Sequence, residues 1–151
     1  SLGGVPIFLD EWGVDLAYSC SQQGLGCSPG ASPFTMSARA QAKLSDRPGK
    51  VANWYLDSQL LGKYWGPERV YHHTAPINLY YGLREALRLI AEEGLAACWE
   101  RHQTNAEYLW KSLESLGLSM HVEREFRLPT LTTVCVPEGK DAKAIARQLL
   151  L

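Results

Sequence analysis

The stretch Val14-Asp-Leu-Ala-Tyr-Ser-Cys-Ser-Gln-Gln-Gly-Leu-Gly-Cys-Ser-Pro-Gly-Ala-Ser-Pro-Phe-Thr-Met36 reads as strand, loop and strand. Val14 to Ser19 is a short apolar run bounded by turn residues, as a buried strand is. Gly24-Leu-Gly-Cys-Ser-Pro-Gly30 forms the loop, and Ala31 to Met36 is the next run. Upstream, Val5 to Leu9 is a third, closed by Asp10-Glu11 and Gly13. Three such runs ahead of helices indicate part of an α/β sheet whose other strands lie outside the chain. They are expected side by side in one sheet. The Cys20–Gly30 loop would then lie at a strand's C-terminal end, where open α/β sheets bind ligands.

Beyond Met36 the pattern turns helical. Ser37 can cap a small helix over Ala38 to Leu44, which the proline and glycine of Asp46 to Lys50 terminate. Leu56 to Trp65 reads as a second, ended by Gly66-Pro67. Thr74 is an N-cap candidate for a third, with Pro76 in its first turn, where a missing N–H costs nothing. Ile77, Tyr80, Leu83, Leu87 and Ile90 recur there at helical spacing. After Gly94 a fourth helix carries Leu95, Cys98, His102, Ala106, Leu109, Leu113 and Leu116 on one face, and Gly117 stops it. His102 on that face reads as a packed core histidine. Leu118 to Val122 and Thr130 to Val136 look like strands of a second, incomplete sheet. Asp141 opens a last helix that runs into the terminus without a tail. The chain starts at Ser1 rather than methionine, so it reads as processed, cut or part of something longer.

The bulk numbers are those of a soluble globular protein: 46% hydrophobic, 21% charged, net charge −1. That balance offers no electrostatic footprint for nucleic acid or an anionic membrane. No window reaches the apolar length of a membrane span, and the N-terminal residues lack a signal-peptide pattern. Cys20, Cys27, Cys98 and Cys135 do not fit structural zinc spacing and read as reduced, mostly buried thiols of a cytosolic protein. A nucleophilic Cys27 would need an activating neighbour, and none stands near it in sequence.

Two motifs invite chemistry. The glycine loop spaces its third glycine one residue late for a dinucleotide fingerprint and opens no amphipathic helix, so it reads as a tight turn. His72-His73 has no further ligand at metal spacing, so no metal site is expected. Its place just ahead of a helix is more informative. Tyr71 and Thr74 can offer hydroxyls there, and the N–H groups after Thr74 suit a phosphate. Simple capping accounts for Thr74 equally well.

At this point the residues carry a resemblance. Ser1-Leu-Gly-Gly-Val-Pro, Tyr18-Ser-Cys-Ser-Gln22, Ser28-Pro-Gly-Ala-Ser32, Tyr71-His-His-Thr-Ala-Pro76, Leu83-Arg-Glu-Ala-Leu87 and Leu128-Pro-Thr-Leu-Thr132 resemble the class V aminotransferases. The nearest branch is the alanine–glyoxylate or serine–pyruvate one, in its bacterial form. The likeness runs over essentially the whole chain.

The resemblance implies a partial fold-type-I transferase dependent on pyridoxal phosphate. It would comprise the end of the large-domain sheet, connecting helices and the start of a small α+β C-terminal domain. The corresponding divisions are 1–75, 76–117 and 118–151. The resemblance also implies a homodimer whose sites are shared between subunits, acting on a small amino acid and a 2-oxo acid, and the reduced thiols read as cytoplasmic. The residue after the Ser-Gln pair is the family's Schiff-base lysine, and here it is Gln23. Gln22 is expected to hydrogen-bond the cofactor phosphate, and Tyr71 and Thr74 to reach the phosphate in the neighbouring subunit's site. The aspartate that pairs with the pyridine nitrogen, the phosphate loop, the stacking aromatic and the substrate-binding arginine would all fall outside this chain.

An amine is needed both to attach the cofactor and to move the substrate's Cα proton. Three readings follow. The chain is part of a transaminase subunit, inactive alone; or a lysine-less relative that binds the cofactor or an amino-acid adduct without turnover; or a non-catalytic dimerisation module.

Overall fold

The computed structural model describes residues 2–150. Its elements run β1 (Leu16–Tyr18), β2 (Phe34–Met36), α1 (Ala38–Ser45), α2 (Ser58–Trp65), α3 (Ile77–Glu93), α4 (Leu95–Ser115) and α5 (Ala142–Leu149). Short 3-10 turns stand at Trp54–Leu56 and Arg124–Phe126. The α/β class read from the sequence holds. The chain divides into two compact units, Ile7–Leu87 and Ser1–Pro6 with Arg88–Leu151. No helix among the described residues is long and apolar enough to cross a membrane.

In the Ile7–Leu87 unit, β1 and β2 pair antiparallel, with Leu16 opposite Met36 and Tyr18 opposite Phe34. The expected third strand does not form. The N–H groups of Trp12, Gly13 and Val14 return to the carbonyls of Phe8, Asp10 and Leu9, so the chain turns from Leu9 onward and residues 6–8 stay irregular. Pro6 removes a ladder donor, and the polar Asp10-Glu11 pair with Gly13 favours reversal over extension.

Asp15 ties the sheet to α1. The Arg39 guanidinium donates to it from Nε at 3.0 Å and from Nη2 at 2.6 Å, and the Ser37 hydroxyl donates at 2.6 Å. Arg39 and then Ser37 hold the Asp15 carboxyl below its ordinary range. Ser37 also caps α1, accepting from the Ala40 N–H at 3.1 Å. One hydroxyl therefore closes a helix and braces a carboxylate.

The third helix begins later than its sequence signals. Its first residue is Ile77, and Pro76 stands just before it, its carbonyl accepting from the Tyr80 N–H at 3.3 Å. Thr74 lies outside the helix, its hydroxyl paired with Tyr71, so it is not the cap.

The other unit is built on α4. A Schellman motif ends that helix: the N–H groups of Leu118 and Gly117 reach the carbonyls of Leu113 and Glu114, with Gly117 at φ +80°. The buried stripe is Cys98, Ala106 and Trp110, while Leu95, Leu109 and Leu116 of the expected face are exposed. Trp110 takes the face because its indole N–H reaches the Thr132 hydroxyl at 2.9 Å and Arg127 lies 5.4 Å over its ring. His102 is half-buried beside Gly4, where an added Cβ would come 2.4 Å from Thr130. The two runs expected as strands meet only at the isolated Met120–Val134 bridge. All four cysteines are free thiols, Cys98 buried and the other three half-buried.

Candidate functional site

The 15-residue span from Ser19 to Pro33 joins β1 to β2 and carries Gln22 and Gln23. Its anchor is Ser21, which is fully buried. The Ser21 hydroxyl donates to the Ser28 carbonyl at 2.6 Å and accepts from the Ala31 N–H at 3.3 Å. Its backbone N–H and carbonyl pair with the Ala31 carbonyl and the Cys27 N–H. A serine serves because only a small side chain with both donor and acceptor capacity can close this loop from within. The sequence reading did not single it out, and nothing in the local pattern marks a serine as buried.

The loop seats on the start of α3. Gly30, at φ +125°, lies so close to Leu79 that a Cβ would come 2.6 Å from Leu79 Cδ1. Cys27 Sγ stands 4.0 Å from the Leu79 carbonyl. With Ser21 pinned inward, Gln22 and Gln23 are exposed, and among the described residues their side chains make no hydrogen bond. A cleft lined by Leu9, Asp10, Glu11, Met36 and Ser37 lies at the opposite end of the sheet and does not include them.

Tyr71 and Thr74 border the same helix start. Their hydroxyls are 2.9 Å apart, and both side chains are exposed. The structure thus brings Tyr71 and Thr74 together, but no hydrogen bond joins them to Gln22 or Gln23 among the described residues. Between the pair, His72 is 5% exposed and its ring stacks on Trp54 at 3.9 Å. Its Nε2 is 3.1 Å from the Trp54 carbonyl and its Nδ1 is 2.9 Å from His73 Nδ1. Nearby, burial first, then Tyr64 and Tyr55, push the Tyr80 phenol above its ordinary range.

A sequence model of the family described as aminotransferase class-V matches residues 1–150. The chain belongs to the class-V aminotransferases. It is 45% identical to the mouse alanine–glyoxylate aminotransferase over 99% of its own length and 37% of that protein's. A solved alanine–glyoxylate aminotransferase from Nostoc is 79% identical and superposes with a TM-score of 0.97, over 99% of this chain and 40% of that one. The ureidoglycine–glyoxylate aminotransferase of Bacillus subtilis follows at 31% identity and a TM-score of 0.93, over 99% of this chain and 39% of that one. The chain therefore spans about two fifths of the length of these relatives.

Membership of the class-V aminotransferases implies pyridoxal 5′-phosphate as cofactor. The side chains present suit one end of that molecule. Two hydroxyls in mutual contact use one hydrogen between them, so the second O–H of the Tyr71–Thr74 pair is left to donate to an anion. The exposed Gln22 amide adds N–H donors. Gln23, next to it in sequence, ends in an amide rather than an amine. The nitrogen lone pair of an amide is delocalised into its carbonyl, so it neither condenses with an aldehyde nor takes a proton near neutral pH.

Proposed function

We propose that this chain is part of a transaminase that exchanges an amino group between alanine or serine and a 2-oxo acid such as glyoxylate or pyruvate. The observation that carries this reading is the class-V match over residues 1–150, together with the likeness to alanine–glyoxylate aminotransferases. When bound, pyridoxal phosphate would supply the electron sink that lets an amino acid lose its Cα proton.

The chain's own residues would do the holding. Gln22, on the loop pinned by Ser21, donates to the phosphate, and the Tyr71–Thr74 pair offers its outward O–H to the phosphate of the site in a neighbouring subunit. That arrangement makes the working protein a homodimer, and we place it in the cytoplasm. Residues 1–75 would close the large cofactor-binding domain, 76–117 the connecting helices and 118–151 the start of the small domain. Gln23 occupies the position of the amine and supplies neither attachment nor proton transfer, so the chain as it stands is inactive.

That amide also favours a second reading, a lysine-less protein that holds the cofactor or an amino-acid adduct without turnover. One comparison separates the two. In the full-length protein, Gln23→Lys should bind the cofactor covalently, seen as a borohydride-stable mass increase. It should transaminate alanine and glyoxylate at least ~1000-fold faster than the Gln23 form, since each tenfold is about 1.4 kcal/mol of barrier. Equal rates from both forms would defeat the assignment of residue 23 and require another base. Covalent attachment without turnover would favour the binding reading.

A further inference from the structure

We infer that His72 and His73 form a one-way hydrogen-bonded relay, anchored on the Trp54 carbonyl, that positions the Tyr71–Thr74 hydroxyl pair. The inference rests on the reading that this pair holds the phosphate. The direction of the relay follows from chemistry at its fixed end. A carbonyl oxygen only accepts, so His72 Nε2, 3.1 Å from it, carries the hydrogen. A neutral His72 then has a lone pair on Nδ1. His73 Nδ1, 2.9 Å away, must be the donor. His73 is left with its lone pair on Nε2, the reverse of the tautomer that free histidine prefers.

The alternative places hydrogens on both nitrogens of His72 and makes it an imidazolium. That ring is 5% exposed, stacks face to face on Trp54 and has no carboxylate among its hydrogen-bond partners. Burying an unpaired charge there is costly, so the relay we infer takes His72 as neutral. The rings that face His73 are those of Tyr55 at 5.2 Å, Tyr64 at 5.1 Å and His72 at 5.1 Å, and none of these groups is a carboxylate. The relay therefore has one polarity.

Its mechanical effect falls on the residues either side. Tyr71 and Thr74 are exposed, and their mutual hydrogen bond does not hold either hydroxyl in place against solvent. His72 fastens the backbone between them to the Trp54–Leu56 turn through a stack and a hydrogen bond, and His73 locks against His72. A phosphate would thus meet two hydroxyls whose spacing is already set. Ordering them beforehand lowers the entropy lost on binding.

The test has two arms in the full-length protein. Nitrogen-15 imidazole spectra at mildly alkaline pH should show His72 with hydrogen on Nε2 and His73 with hydrogen on Nδ1. A His73 protonated on Nε2, or a doubly protonated His72, overturns the relay. In the second arm, His72→Phe keeps the aromatic stack and loses both nitrogen contacts, and should weaken pyridoxal phosphate binding by about tenfold. His72→Gln, which retains one donor and one acceptor, should recover most of that loss. Thr74→Val reports on the underlying reading. If Thr74→Val leaves cofactor affinity unchanged, the phosphate role of the pair fails, while the spectra still decide the relay. If Thr74→Val weakens binding and His72→Phe does not, positioning by His72 is overturned. Should His72→Phe fail to fold, the spectra of the unaltered protein decide.

Discussion

The Ser19–Pro33 loop and helix α4 are held in opposite ways. Helix α4 is fixed by side-chain burial: Cys98, Ala106 and Trp110 form an inward stripe, and Arg127 bridges Trp110, the Val122 carbonyl and Glu114. The loop has little apolar material to bury beyond Leu25 and Ala31, and its shape comes from a single hydroxyl and a few backbone hydrogen bonds. A region held by burial tolerates exchange of its polar surface. A region held by hydrogen bonds depends on the atoms that make them, and it leaves neighbouring side chains such as Gln22 and Gln23 free to meet a ligand. In this chain every residue assigned to cofactor binding belongs to the Ile7–Leu87 unit, and the apolar helical stripe belongs to the other.

The largest effect should come from the helical side of this contrast. Trp110→Ala removes a side chain that is 3% exposed and should cost about 3–5 kcal/mol in denaturant unfolding followed by circular dichroism. Trp110→Phe, which keeps most of the bulk but loses the bond to Thr132, should cost about 1 kcal/mol. If the two variants are equally destabilised, the hydrogen bond rather than the burial holds α4, and the contrast breaks.

Ser21→Ala should cost less overall, about 1–3 kcal/mol, because it strands the Ala31 N–H and loses the contact to Ser28. Its signature is local. Hydrogen exchange at Cys27 and Ala31 should quicken while amides of α4 keep their protection. Equal loss of protection in both regions would show the loop and the helix to be one cooperative unit.

The smallest effect concerns two exposed ion pairs, one taken from each unit. Asp15 is held below its ordinary range by Arg39, and Glu93 is held below its range by Arg101, whose Nη2 lies 2.8 Å from Glu93 Oε2. A carboxyl depressed in the folded state contributes stability above its unfolded value, about pH 4, and loses it as pH falls through the folded value. Asp15→Asn and Glu93→Gln should each flatten the acid limb of a stability–pH curve slightly, since surface pairs are screened. A large change from either would mean that the pair braces far more than its own ends.

Much of this was legible beforehand wherever a hydrogen bond closes within a few residues. Ser37 and Asp141 cap their helices as read, and a loop joins β1 to β2 as the strand–loop–strand pattern has it. Other features were not legible. The Val5–Leu9 run has the composition of a strand, but among the described residues no strand pairs with it. Trp110 displaced Leu109 from the buried stripe because Thr132 and Arg127, far along the chain, take up its indole.

The amino-acid sequence by itself determined the helices, the Ser37 and Asp141 caps, the family and the amide at position 23. These depend on periodicity, on donors and acceptors a turn apart, and on the identity of single residues. Only the tertiary structure decided that Ser21 would be buried, that Thr74 would bond Tyr71 instead of capping α3, and that His72 would find the Trp54 carbonyl. The His72 case needs atoms 18 residues apart in the chain to meet. A side chain able both to donate and to accept is compatible with several partners until packing selects one.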